Sequence, residues 1–359
     1  MVRKLAVFIP VVCIAFFCSA QDDKSAATNG KIVDKEENHF RKELSKTDDS
    51  GAVYLEHADV LAGIVSECGR AGDFYKLALK YDTMNPTLYK NYGKYLGNVQ
   101  RVYSDAKVML EKALKLAPDD AEIKVNLESV DKILAAQDED NRLKDFGSTR
   151  IRELNPTEDF AVLTKFDSLR KESNVPASKY NYEQLLARFL TDDTTLTPDE
   201  MYMMIVGFSV QSTYNPFNYN DINDLKRLAC HDVDTAIRKG IELTKINPLN
   251  PSLNRELMYC YRKKGNMDEG EKYRNRIKLF FNGVLYSGNG TCGRPYVSLW
   301  AKEEYNFITY LGYTSSPNHS MGMCGGQMAE TIDMVNPADQ KTEQINFNVG
   351  LIYMQSVGK

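Results

Sequence analysis

The sequence predicts a mainly α-helical protein, a stack of helical hairpins with a small α+β portion at its C-terminal end. Three observations predict this class. Apolar residues recur at spacings of three and four over most of the chain from Tyr54 to Phe281, which is the period of an amphipathic helix. Short segments rich in glycine, asparagine and proline interrupt that period and separate the helices. After Phe281, strand-like segments replace it.

Length and composition are those of a globular protein. The chain has 359 residues, of which 43% are apolar and 26% charged, so it is long enough for two domains and too apolar for a disordered chain. Its formal net charge is −4. No basic surface of the kind that nucleic acid requires is predicted.

The first 20 residues have the features of an export signal. Arg3 and Lys4 precede an apolar run over 5–17, and small residues follow over 18–20. This arrangement predicts cleavage near Gln21 and a location in the periplasm or cell envelope. An alternative is that Cys18 carries a lipid that anchors the chain to a membrane.

The segment from Asn85 to Pro118 predicts one helical hairpin, because Pro118 cannot continue the second helix. The predicted packing positions are Tyr89, Tyr92, Gly93, Leu96, Ala106, Leu110 and Ala113. With these residues and Pro118, the segment resembles a tetratricopeptide repeat. The gap from Leu96 to Ala106 is one residue longer than the usual repeat has. The resemblance implies repeat-like packing, and a generic helical hairpin is the alternative.

A second copy of this pattern runs from Pro251 to Asn282. Its predicted packing positions are Leu257, Tyr261, Gly265, Gly270 and Ile277. A tyrosine followed after nine residues by a small residue, with a glycine turn between them, is again similar to the tetratricopeptide pattern. Helix stacking is therefore predicted for both halves of the chain.

The segment Gly207–Tyr219, GFSVQSTYNPFNY, has the most distinctive residues of the second half. It resembles a family of exported bacterial proteins built around a domain of unknown function. The resemblance extends from Ser178 to the C-terminus and implies no catalytic residue. The other segments that carry it are Tyr182–Arg188, Thr191–Thr197, Ser287–Thr291 and Ile345–Val349.

These features predict four segments. Residues 1–20 form the signal peptide and 21–52 a flexible leader, for which a loosely formed helix up to about Asp49 is the alternative. Residues 53–176 form the tetratricopeptide-like domain, and 177–359 form a helical domain of unknown function that ends in a small mixed α/β region. Within that region, strands are predicted over Gly283–Tyr286, Tyr296–Trp300 and Gln344–Val349, with a helix over Lys302–Leu311.

The sequence Tyr214-Asn215-Pro216-Phe217 is a candidate recognition edge. Proline restricts Asn215 to an extended conformation, so the two aromatic side chains are placed on either side of a turn. The alternative is an aromatic clamp that fixes the connection between two helices.

Cysteine spacing predicts one disulfide and no metal site. Cys292 and Cys324 both precede glycine in the loop-rich C-terminal region, so they are the candidate pair. No pair has the close CxxC spacing of a zinc or redox site, and no cofactor is expected. His319 lies near Cys324, which raises the alternative of a thiol-dependent hydrolase.

The predicted function is a non-enzymatic interaction module that binds an unidentified protein or peptide, because stacked hairpins form extended surfaces. A surface glycan-binding protein is the first alternative, prompted by 21 tyrosines. A hydrolase that uses Cys324 and His319 is the second.

Overall fold

A computed structural model describes residues 34–47, 49–63, 69–153, 165–217, 220–300, 302–337 and 339–353, with the backbone alone over 138–153. The predicted signal peptide, the first part of the predicted leader and Cys68 lie outside these residues. The chain divides into two compact units, Met1–Thr83 and Met84–Lys359. The domain boundary expected near Pro176 stays a prediction.

The described residues of the first unit form three helices: α1 over 34–44, α2 over Ser50–Gly63 and α3 over Ala71–Tyr81. Phe40 of α1 stacks on His57 of α2 with ring centroids 4.1 Å apart and meets the edge of Phe74 at 5.5 Å. Burial lowers the pKa of His57. Residues 34–44 are therefore helical within the segment predicted as a flexible leader, because Phe40 gives α1 an apolar contact that holds it to α2.

The second unit begins with α4 (Pro86–Tyr95), α5 (Tyr103–Leu116) and α6 (Ala121–Glu153). Asn85 caps α4, since its side-chain oxygen accepts a hydrogen bond from the Leu88 amide at 3.1 Å. Gly93 allows α5 to approach closely, because a Cβ there would lie 2.9 Å from Leu110 Cγ. The predicted fold class, a stack of helical hairpins, is confirmed.

A π-helical turn over Leu96–Gln100 follows α4 directly. It accommodates the residue by which the gap from Leu96 to Ala106 exceeds the tetratricopeptide pattern, because a π turn holds one more residue than an α turn. Arg101 ends the turn in the left-handed conformation, with φ of 59°. A single extra residue thus changes the direction of the chain without disturbing α4 or α5.

Helices α7 to α13 continue the second unit. Among the described residues no helix is both long and apolar enough to cross a bilayer. The second predicted hairpin is formed by α12 and α13. The bounds are α7 Phe166–Ser173, α8 Tyr182–Leu190, α9 Pro198–Phe208, α10 Asn220–His231, α11 Val233–Ile246, α12 Pro251–Lys263 and α13 Met267–Ser287.

The strand predicted over Gly283–Tyr286 was wrong, because these residues form the last turns of α13. The reason lies at Gly283, where a Cβ would be 3.0 Å from both Met201 and Ile205 of α9. The missing side chain lets α13 continue as a helix against α9. A short apolar run does not distinguish a buried helix from a buried strand.

A four-stranded sheet closes the second unit, with strand order β1-β4-β3-β2. The parallel pair of β1 and β4 forms one edge, and antiparallel β2 forms the other. Aromatic residues of helix α14 (Glu303–Tyr310) cover one face of the sheet. The ring of Phe307 meets the ring of Phe347 on β4 edge to face, with their centroids 5.9 Å apart. The bounds are β1 Tyr296–Val297, α14 Glu303–Tyr310, β2 Thr314–Cys324, β3 Gln327–Val335, β4 Thr342–Asn348 and α15 Gly350–Tyr353.

Candidate functional site

The surface between α5 and α6 contains an open groove of about 500 Å³. Leu114 of α5 and Leu127 of α6 form its apolar floor, and both side chains are half-buried. This volume lies within the range of small-molecule binding sites. Its remaining lining residues are Lys124, Glu128, Asp131, Lys132 and Ala135.

The charged rim of this groove is largely neutralised by its own ion pairs. Lys132 Nζ lies 2.7 Å from Glu128 Oε1, and Lys107 Nζ lies 2.7 Å from Asp131 Oδ1. These pairs are exposed, so they contribute little to stability. The groove therefore offers an apolar floor between charges of both signs, which suits an amphipathic peptide.

Arg101 joins the π turn to helix α12 through a buried ion pair with Glu256. Its two terminal nitrogens lie 3.1 and 2.5 Å from the two carboxylate oxygens of Glu256, which is fully buried. The guanidinium carbon also lies 3.9 Å from the ring centroid of Tyr259, in cation–π contact. Burial opposes the charge of Arg101, but hydrogen bonds to Glu256 raise its pKa above the usual value.

Two tyrosines complete this joint. The hydroxyl of Tyr259 donates to the carbonyl of Asn98 in the π turn at 3.1 Å. Burial raises the pKa of Tyr103, the first residue of α5, to about 12. Burial also raises the pKa of Tyr259, so both phenols are neutral at physiological pH. The joint is a hydrogen-bonded structural contact between the first hairpin and α12.

The predicted recognition edge is divided between core and surface. Tyr214 is buried and donates its hydroxyl proton to the carbonyl of Leu299 at 2.6 Å, while Pro216 is also buried. Asn215 and Phe217 are exposed. Tyr214 and Pro216 are thus unavailable to a partner, because Tyr214 packs on Phe208 as an aromatic clamp. Only the two exposed residues remain as a candidate edge.

Cys292 and Cys324 are joined by a disulfide in the structure. The sulfur of Cys324 is therefore bonded, and it is not the free thiolate that a cysteine hydrolase requires. His319 lies beside Glu330 instead, with 2.9 Å between Nδ1 and Oε1. Within the described residues, no three His, Cys, Asp or Glu side chains form a group that could hold a metal ion.

Trp300 is unavailable for sugar stacking because its side chain is fully buried. It packs among Phe208, Tyr214 and Phe280, with centroid distances of 5.9 to 6.0 Å. This aromatic core joins α9, α13 and the segment between β1 and α14. Trp300 therefore gives no support to the alternative of a surface glycan-binding protein.

Two glutamates at the start of α14 are buried beside the sheet. Glu303 is 3% exposed and accepts a hydrogen bond from Asn306 Nδ2 at 2.8 Å. Glu304 is 1% exposed, and burial raises its pKa well above the usual value, with a further contribution from the nearby Glu330. Glu304 is thus held in an environment that favours the neutral carboxylic acid.

We expect the Glu304→Gln substitution to make the protein more stable at pH 7.5 and its stability less dependent on pH. The folded state raises the pKa of Glu304, so this group contributes stability below its unfolded pKa near 4.5 that is lost as the pH rises through the folded value. One such proton gives a slope of up to about 1.4 kcal/mol per pH unit. Urea unfolding at several pH values from 4.5 to 7.5 measures it.

The control is Glu343→Gln, since Glu343 of β4 is exposed. This change should leave the dependence of the unfolding free energy on pH as it is in the wild type. An unchanged slope in Glu304→Gln would show that Glu304 is not the buried acid responsible.

Sequence reasoning missed the groove and the Arg101 joint. Leu114 and Leu127 are ordinary members of amphipathic stripes, and nothing in the sequence shows that their helices leave space between them. Arg101 had one signal, the extra residue before Ala106. That signal indicated an irregular helix end but gave no indication of Glu256.

The second unit is thus built of helical hairpins and a small sheet. The model of a domain of unknown function, DUF4919, matches residues 167–354. Because this match spans more than half of the chain, the protein belongs to the DUF4919 family. The family resemblance predicted for the second half is confirmed.

No curated protein matches the chain. Among solved structures, one similar chain is described as YrrB, a TPR (tetratricopeptide repeat) protein with an unusual peptide-binding site. It is 17% identical, with a TM-score of 0.25, and the similarity covers 69% of this chain and 95% of that one.

Proposed function

We propose that this protein is a non-enzymatic interaction module that binds a peptide segment of a protein partner in the groove between α5 and α6. The observation that supports the proposal is the apolar floor of Leu114 and Leu127 beneath a rim of paired charges. An amphipathic helix could bury its apolar face there while its polar face meets the rim. Stacked helical hairpins commonly act through such extended surfaces.

We also propose that the protein acts outside the cytoplasm, in the periplasm or cell envelope. The charged and apolar pattern of the first 20 residues supports export. The Cys292–Cys324 disulfide supports an oxidising compartment. Cell fractionation followed by intact-mass measurement tests this proposal, because cleavage before Gln21 and lipid on Cys18 give different masses, and a full-length cytoplasmic protein would contradict it.

We expect Leu127→Asp to weaken peptide binding at least about tenfold, which is about 1.4 kcal/mol. The introduced carboxylate would have to lose its hydration when an apolar peptide side chain covers it. Peptides are first selected on the wild-type protein from a displayed library, and their dissociation constants are then measured by fluorescence anisotropy for both proteins.

Val125→Asp is the matched control, because Val125 is on the same helix, is 64% exposed and is not part of the groove lining. Circular dichroism checks that both variants are folded. Equal weakening by the two variants, or selected peptides that bind Leu127→Asp as well as the wild type, would contradict the proposed groove.

A further inference from the structure

Three exposed methionines lie together at the tip of the hairpin formed by β2 and β3. Met321 is 47% exposed, Met323 67% and Met328 44%. Methionine is ordinarily a core residue, and its thioether sulfur is soft and polarisable. Three such side chains on one small surface form a set of neutral sulfur donors in contact with solvent.

The register of the hairpin places these methionines on the same face of the sheet. Met323 and Met328 are direct partners across the two strands, and Met321 is paired with Glu330. Side chains two residues apart on a strand point to the same face, and directly opposed residues have Cβ atoms about 4.5–5.5 Å apart. The flexible methionine side chains can therefore bring their sulfurs to one point.

His319 lies on this face as well, two residues before Met321. Its Nδ1 is 2.9 Å from Oε1 of Glu330, and its side chain is 52% exposed. A carboxylate that engages one ring nitrogen fixes the orientation of the imidazole and leaves Nε2 for a ligand, an arrangement typical of metal-binding histidines. Glu330 is buried on the same face, so the orientation is supported from the protein interior.

The hairpin tip is also fixed in place by a covalent bond. Cys324 directly follows Met323 and is joined to Cys292. Its sulfur lies on the opposite side, 3.5 Å from Asn346 Oδ1, so it does not occupy the methionine face. The disulfide restrains the strand that carries Met321 and Met323, which reduces the entropy that a ligand would otherwise have to overcome.

We propose that Met321, Met323, Met328 and His319 form a binding site for a soft monovalent metal ion, Cu(I) in the cell. Thioether and imidazole ligands select this ion, whereas Mg²⁺ and Ca²⁺ prefer oxygen ligands. Three sulfurs and one ring nitrogen can supply four ligands without any negative charge. The site is separate from the groove between α5 and α6 and does not depend on its function.

The test uses Ag(I), a redox-inert ion with the same ligand preference, on protein labelled with ¹³C at the methionine methyl groups. We expect the methyl signals of Met321, Met323 and Met328 to shift together and to saturate at one equivalent. Because thiols bind Ag(I) more tightly than thioethers do, the accessible thiols, including that of Cys230, are first blocked with N-ethylmaleimide, so that one equivalent of silver refers to the methionine site. Zn²⁺ and Ca²⁺ should leave the three signals in place.

Leucine substitutions separate metal binding from apolar contact, because leucine keeps the apolar volume and lacks the sulfur. Met321→Leu, Met323→Leu and Met328→Leu should each weaken silver binding at this site at least about tenfold, as judged by the remaining methyl signals. His319→Leu should do the same. Met84→Leu is the control, since Met84 is 71% exposed and lies outside the site.

Three results would overturn the proposal. The first is that the three signals do not move with Ag(I). The second is that the Met84 signal moves to the same extent and over the same concentrations. The third is that a variant with any two of the three methionines replaced by leucine keeps wild-type affinity, as an apolar docking surface would.

Discussion

Replacing Glu256 by leucine is expected to lower the free energy of unfolding by about 3–5 kcal/mol. The change leaves the guanidinium of Arg101 in a largely buried position without the carboxylate that holds it through two hydrogen bonds. An uncompensated buried charge has lost its hydration and has no partner to replace it. Urea unfolding followed by circular dichroism measures the loss.

The double variant Arg101→Met and Glu256→Leu should recover most of this stability, because an apolar pair of similar volume has no charge to desolvate. The control is Glu242→Leu, which removes the partner of Lys245 in an exposed ion pair and should change stability by less than about 1 kcal/mol. If the double variant were as unstable as Glu256→Leu alone, the cost would come from lost packing around Glu256 rather than from the unpaired charge.

Replacing Trp300 by alanine is the second change with a large expected effect, a loss of about 3–5 kcal/mol. Trp300 is fully buried and packs against Phe208, Tyr214 and Phe280. Its removal leaves a cavity between α9 and α13 that these aromatic rings cannot fill without leaving their own contacts. Chemical unfolding followed by far-ultraviolet circular dichroism measures the change in the free energy of unfolding, because the variant has no tryptophan whose fluorescence could be followed.

Phe217→Ala is the control for Trp300→Ala, since Phe217 is 52% exposed. The Phe217→Ala variant should lose well under half of the unfolding free energy that the Trp300→Ala variant loses. The wild type provides a further check, because its single tryptophan should emit as a buried indole and shift to longer wavelength on unfolding. Emission at solvent-exposed wavelengths from the folded protein would contradict this position of Trp300.

The helical hairpins were predictable because their signals are local. Asn85-Pro86 and Asn250-Pro251 each begin a helix in which the asparagine caps a nearby amide, and such caps are visible in a few residues of sequence. The close approach at Gly93 was likewise indicated by a small residue on an apolar stripe. A period of 3.6 residues is repeated many times within one helix, so a single exception does not obscure it.

The strands β2 and β3 were missed for the opposite reason. Most of Thr314–Cys324 is exposed, so the strand has no alternation between apolar and polar residues that would reveal it. Its structure comes from pairing with β3. The cluster of His319, Met321, Met323 and Met328 depends on that same pairing. The spacing of cysteines and histidines along the chain cannot reveal three thioethers that a hairpin register brings together.

Arg101 and Glu256 are separated by 155 residues, which imposes a delay during synthesis. At the usual rate of about 5–20 residues per second, the first hairpin is made about 8–30 s before its partner on α12. During that time the guanidinium of Arg101 is hydrated, because its carboxylate partner has not been made. A hydrated charge does not attract the apolar surfaces of other unfinished chains, and the joint can close once α12 has been made.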